Sequence, residues 1–146
     1  MITQTMLHNS IEDTKKLIRR NLEKNLFFSS NLAMPVNALW ILKDLEEQLK
    51  SGSFEEEEVE KTFYLTKEMY EIASVNKSDS DVSDKRLEDM EVTIADDYYI
   101  FNEVRALLKK YILEDKIEQA LEIAWLVSRD IDDEKINSIY QKEFKN

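Results

Sequence analysis

The stretch Pro35–Gly52, PVNALWILKDLEEQLKSG, holds the only proline and the only glycine of the chain, one at each end of an apolar periodicity. Proline, with its fixed φ and no N–H to leave unpaired, suits the first turn of a helix; glycine, which takes φ > 0 at no steric cost, suits the residue just past its end. Between them Val36, Leu39, Leu42, Leu45 and Leu49 recur every three or four positions, and Trp40 and Ile41 widen the stripe. An apolar face that broad exceeds a coiled-coil seam and predicts a core helix, central in the fold.

An average chain of this length would carry roughly ten glycines and seven prolines. Tight hairpins need residues at φ > 0, and loops that cradle phosphate need glycine so that backbone can approach the ligand. With neither supplied, sheet-based and dinucleotide-binding architectures are disfavoured. The expected fold class is all-α, a bundle of five to six amphipathic helices with short connections. A length of 146 residues, 42% of them hydrophobic, with two Trp, six Tyr and six Phe, predicts one core and a single helical domain over 1–146.

On the N-terminal side, Ile11, Leu17, Ile18, Leu22 and Leu26 predict a helix over Ser10–Leu26, with Ser10 and Asp13 as an acidic variant of the capping box. Lys15, Lys16, Arg19, Arg20 and Lys24 make it the only net-basic stretch, read as a solvated face. After Gly52, Ser53 and Glu56 match a capping box, so the next helix is expected from Phe54 to about Val75. Val59, Phe63, Tyr70 and Ala73 form one stripe of it, and Leu65, Met69 and Ile72 a second. Glu55, Glu56, Glu57 and Glu58 fall in its first turns, where carboxylates complement the positive end of the helix dipole.

Asn76–Asp84, NKSDSDVSD, predicts a mobile loop. Apolar positions then return at Leu87, Met90, Ile94, Tyr98, Phe101, Val104, Leu108 and Tyr111. They fit one long helix over 84–113, or a break at Thr93 with a helix over Ile94–Leu113; β-branched Val92, Thr93 and Ile94 favour the break or a kink. Asp115 with Glu118 is expected to open a helix from Lys116 to about Arg129, with Ile117, Ala120, Leu121, Ala124 and Ser128 on one side and Trp125 and Leu126 near it. A last helix is expected from Asp132 or Asp133, with Ile131 and Ile136 at hydrophobic-staple spacing and Ile139, Tyr140 and Phe144 continuing its face.

The stretch Tyr111–Tyr140, with LEDKIEQALEIAW followed by RDIDDEK, has the look of a helical-hairpin repeat such as the tetratricopeptide, which would imply a repeat-like array as the alternative fold. It departs from that pattern: Glu114 or Asp115 stands where a small residue belongs, the closing proline is missing, and no second copy follows at a fixed period. No family is assigned on it.

There is no cysteine, hence no thiolate site or nucleophile, and His8 is the sole histidine, without the second imidazole that a histidine metal site needs. No nucleophile elbow, Walker loop or dinucleotide fingerprint occurs. Asp79, Asp81 and Asp84 lack the glycine and the terminal glutamate of a calcium loop. No cofactor is expected and no catalysis, although carboxylate-only chemistry has no signature to search for. With 31 acidic against 20 basic residues the net charge is −11, a field that repels phosphate backbones and anionic membranes and attracts basic partners. Neither a signal-peptide pattern nor a membrane-length apolar run occurs, and a cytoplasmic location is expected.

The expected function is therefore protein–protein interaction of the adaptor, assembly-factor, immunity or inhibitor type, with a partner bearing a basic surface or a second copy of the chain. The candidate surface is Tyr98, Tyr99, Trp125 and Glu55–Glu58, since adjacent tyrosines on a helix must point to different sides and aromatic residues anchor interfaces. The alternative is an acidic mimic of nucleic acid that inhibits a DNA- or RNA-binding enzyme.

Overall fold

The computed structural model describes residues 1–24, 26, 30–75, 98–129 and 133–145, with backbone alone for 98–101, 128–129 and 133. Among them lie six helices and no strand: α1 Gln4–Glu23, α2 Ala33–Ser51, α3 Glu56–Ser74, α4 Tyr98–Leu113, α5 Ile117–Arg129 and α6 Asp133–Phe144. The fold is all-α, as the scarcity of glycine and proline requires. The expected loop over 76–84, the choice at Thr93 and the staple residue Ile131 lie outside the described residues.

Helix α2 begins two residues before Pro35, so the ring occupies the third helical position, where the missing N–H is one the helix would leave unpaired in any case. It ends as expected at Gly52, whose φ is 74° and whose N–H donates to the carbonyls of Gln48 at 3.2 Å and Leu49 at 3.3 Å. No atom lies within 4 Å of where a Cβ would stand, so the need for glycine there is conformational and not steric. Val36, Ala38, Leu39, Leu42 and Leu45 are buried, and α2 packs on α1, α3 and α5, the central position that its broad stripe demands.

Three expected helix starts are corrected. The first helix opens at Thr3, whose Oγ1 accepts the Met6 N–H at 3.2 Å, and runs straight through Ser10. Leu7 extends the face of Ile11, Ile18 and Leu22 back by one turn and is fully buried; that burial outweighs the cap Ser10 could offer. Leu26 lies beyond the helix, donating its N–H to the Asn21 carbonyl at 2.9 Å with its side chain in the core.

The capping box at Ser53 and Glu56 is not formed. The Ser53 N–H instead donates to Ser51 Oγ at 3.2 Å, holding Ser53 to the end of α2, and α3 starts two residues later than expected. Glu55 becomes its cap residue, with no side-chain hydrogen bond, and Glu56–Glu58 its first turn.

Asp115 closes α4 instead of opening α5. Its φ is 57°, its N–H donates to the Ile112 carbonyl at 3.3 Å, and the Lys116 N–H donates to the Tyr111 carbonyl at 2.8 Å. These two bonds are the Schellman pattern, with aspartate where glycine usually stands. Its carboxylate reaches Lys15 of α1 at 2.7 Å and Lys43 of α2 at 3.8 Å, and the Lys15 hydrogen bond holds it below the usual carboxylate range.

The carboxyl end of α3 has no glycine. Its orphan carbonyls are met by side chains from α1 and the α1–α2 connection: Asn21 Nδ2 donates to Ala73 O at 3.1 Å, Asn31 Nδ2 to Ala73 O at 3.2 Å and Val75 O at 2.8 Å, and Arg20 Nη2 to Ser74 O at 2.9 Å. Asn21 also donates to Asn31 O at 2.7 Å, and both asparagines are buried. This clamp, with the packing on α2, fixes the direction in which α3 lies.

Helices α4 and α5 pack on each other, and α6 packs on α4. Val104, Leu107 and Leu108 of α4, Ile117, Ala120, Ile123 and Ala124 of α5, and Ile136 of α6 join the residues of α1–α3 in one apolar cluster. Ile123, absent from the expected face of α5, is buried, whereas Leu121 is half-buried. Lys110 ties α4 to α6 through Glu143 at 3.6 Å, besides its own-helix partner Glu114 at 2.7 Å.

Candidate functional site

Helix α3 buries one side only. Val59, Phe63, Thr66 and Ala73 are buried with Tyr70 half-buried, successive positions three or four apart that face α2 and, less extensively, α1. The residues turned away from that contact are not uniformly polar. Tyr64 is 58% exposed, Leu65 50% and Ile72 44%, and half-buried Met69 lies between the last two on the helix. The second stripe seen in the sequence, Leu65–Met69–Ile72, is therefore present but only partly covered.

The exposed surface of the same helix is rich in acidic side chains. Glu55, Glu56, Glu57 and Glu58 are all exposed around the helix start, followed by exposed Glu68 and Glu71, against Lys61 and Lys67. Four carboxylates at a helix start are stabilised by the unpaired N–H groups there, which lets α3 carry more negative charge than an interior turn would tolerate. Lys67 lies over the Phe63 ring, 5.2 Å from its centroid, and Tyr64 meets the same ring edge-on at 5.8 Å, which restrains the tyrosine at the surface. A groove of about 530 Å3 runs past Glu57, Glu58, Lys61, Tyr64, Leu65 and Glu68.

The residues of the expected candidate surface come from three helices. Glu55–Glu58 stand together on α3. Trp125 is 41% exposed on α5, which packs on α2 and α4. Tyr98 and Tyr99 lie in the first turn of α4, and their side chains are outside the described residues. Tyr64, Leu65 and Ile72, which the candidate surface omitted, join the glutamates on the outward side of α3. Their signal was a helix bearing two apolar stripes, more than one neighbour on one side can cover.

Other parts of the molecule offer less. A cleft of about 230 Å3 among α1, α2 and α3 is lined by Asp13, Thr14, Leu42, Thr66, Tyr70 and Glu71, smaller than the roughly 300 Å3 at which ligand sites usually begin. The Thr14 and Thr66 hydroxyls donate within their own helices, to Ser10 O at 2.7 Å and Phe63 O at 2.6 Å. The basic residues of α1 and its end divide in role: Lys15 and Arg20 bind other parts of the fold, while Lys16, Arg19 and the capping residue Lys24 are exposed, as is His8.

Among the described residues no three His, Cys, Asp or Glu side chains are grouped to hold a metal ion, and no helix is long and apolar enough to cross a membrane. Comparison with protein-family models, with curated proteins and with solved structures finds no match, so what the α3 surface does has to be reasoned from its own chemistry.

Proposed function

We propose that the protein acts without catalysis, as an adaptor, assembly factor, immunity protein or inhibitor, by binding a second protein that carries a basic surface, and that it does so through the outward face of α3. The observation that carries this is the presence of Tyr64, Leu65 and Ile72, each about half exposed, on the same helix as exposed Glu57, Glu58 and Glu68. Apolar groups left at a surface gain by being covered, and a charged rim sets which partner covers them. The net charge of −11 speeds encounter with a basic partner and opposes docking on nucleic acid or anionic lipid. The absence of cysteine is compatible with the reducing cytoplasm, where we place it.

The test is affinity capture from the native host with the full chain, wild type beside a Glu57→Gln, Glu58→Gln, Glu68→Gln variant. The expected result is a protein partner in stoichiometric amount, with a basic surface, retained less by the variant and released by moderate salt. Retention of no protein would overturn the proposal, as would turnover of a small molecule that disappears when one carboxylate is changed. A nucleic-acid-binding enzyme as the captured partner, displaced by its own nucleic acid, would favour mimicry instead.

A further inference from the structure

Leu65, Met69 and Ile72 are spaced by four and three residues, and the same alternation carries back through Thr62 to Glu58 in the first turn. At about 1.5 Å per residue this line runs along α3 for about 21 Å. It lies to one side of the Val59–Phe63–Thr66–Ala73 line buried in the bundle. Alternating three- and four-residue spacing is the seam into which a second helix packs, its side chains entering the spaces between those of the first. A strand, with its side-chain period of two, does not match it.

The charges beside the seam select the occupant. Glu58 begins it, Glu57 and Glu68 stand on its solvent side, and Lys61 is the cation among them. Seam against seam, a second copy of the chain would bring like-charged rims together, and its exposed cations Lys16 and Arg19 lie on α1, whose apolar stripe is already buried in the bundle. Residues 76–97 of the chain itself hold eight acidic against three basic side chains, which gives them the wrong sign as well.

Resting on the proposed protein-binding function, we infer that this seam receives one amphipathic helix of the partner, about four turns long, with an apolar stripe of the same spacing and lysine or arginine flanking it. The recognition is helix-on-helix: the stripe supplies contact area and the flanking cations set orientation and partner choice.

Two designed peptides test this, both with the same leucine and isoleucine stripe, one flanked by lysines and one by glutamates. Each is labelled and titrated with the full chain, wild type and a Leu65→Ser, Ile72→Ser double variant, by fluorescence anisotropy. The lysine peptide is expected to bind wild type and the glutamate peptide not, and the double variant is expected to lose about tenfold or more in affinity while keeping its helical circular dichroism. Equal binding of the lysine peptide by wild type and variant would overturn the inference, as would no binding by wild type. So would a wild-type dimer that the double substitution dissociates, or a marked drop in melting temperature of the variant, which would mean that the chain covers its own seam. All these outcomes leave the host-capture result untouched, so failure of the seam and failure of the proposed function are told apart.

Discussion

Replacing Asn21 tests what holds α3 in place. This side chain is 0% exposed; its Nδ2 donates to Asn31 O at 2.7 Å and to Ala73 O at 3.1 Å, and its Oδ1 accepts from Arg20 Nε at 3.3 Å and Nη2 at 3.1 Å. Two hydrogen bonds to backbone carbonyls are worth about 1–3 kcal/mol together, and a buried carbonyl deprived of its donor costs about 1–3 kcal/mol more. The second cost falls chiefly on Asn31 O, because Ala73 O keeps the Asn31 amide at 3.2 Å. Asn21→Ala is thus expected to destabilise the fold by about 3 kcal/mol, a large share of the roughly 5–15 kcal/mol that holds a domain together. Asn21→Leu separates hydrogen bonding from packing, since leucine fills the space and supplies no donor, and it should cost nearly as much. Urea unfolding followed by helical circular dichroism should show midpoints lower by about 1–2 M for both variants. If Asn21→Leu unfolds within about 0.5 kcal/mol of wild type, the clamp is packing and not hydrogen bonding, and the account of the α3 terminus is wrong.

Two further predictions follow from the turn between α4 and α5 and from the α4–α6 contact. Asp115→Asn should cost about 1 kcal/mol, because the Asp115 carboxylate in the lost ion pairs is 52% exposed and asparagine tolerates a left-handed backbone, whereas Asp115→Ala should cost about 1 kcal/mol more; thermal melts at low and high salt would show the first cost shrink with salt and the difference remain. Because Lys15 lowers the Asp115 pKa, its contribution is present above the ordinary aspartate range and is lost as pH falls through the lowered value, so the Asn variant should be least distinguishable from wild type in acid. Tyr111 is 3% exposed, and burial, with Glu143 beside it, pushes its phenol up to about 12. A raised pKa means stability that is intact below the unfolded value of about 10 and falls by about 2–3 kcal/mol as pH rises toward 12. Tyr111→Phe should remove that part of the alkaline slope in urea midpoints, and an unchanged slope would show that the phenol ionises freely.

How much of this was legible in the sequence depended on whether the signal was chemical or contextual. The bounds of α2 were readable because a proline and a glycine constrain backbone by themselves, whatever surrounds them. The caps at Ser10, Ser53 and Asp115 were misread because a polar side chain can serve several nearby backbone groups, and which one it serves depended on Leu7 reaching the core, on the end of α2 holding Ser53, and on Lys15 and Lys43 meeting Asp115. Asn21 and Asn31, at ordinary polar positions in the text, became buried clamps only when the end of α3 arrived beside them.

The candidate site divides in the same way. The acids Glu55–Glu58 and the stripe Leu65–Met69–Ile72 are properties of residue order, since charge and helical period need no partner to exist. That the stripe is left partly bare and that Tyr64 stands exposed on the helix of the glutamates were decided by the tertiary structure. Periodicity says which side chains share a face of a helix; which face finds a neighbour is settled by the packing of all the helices at once, and only the faces left over are available to another molecule.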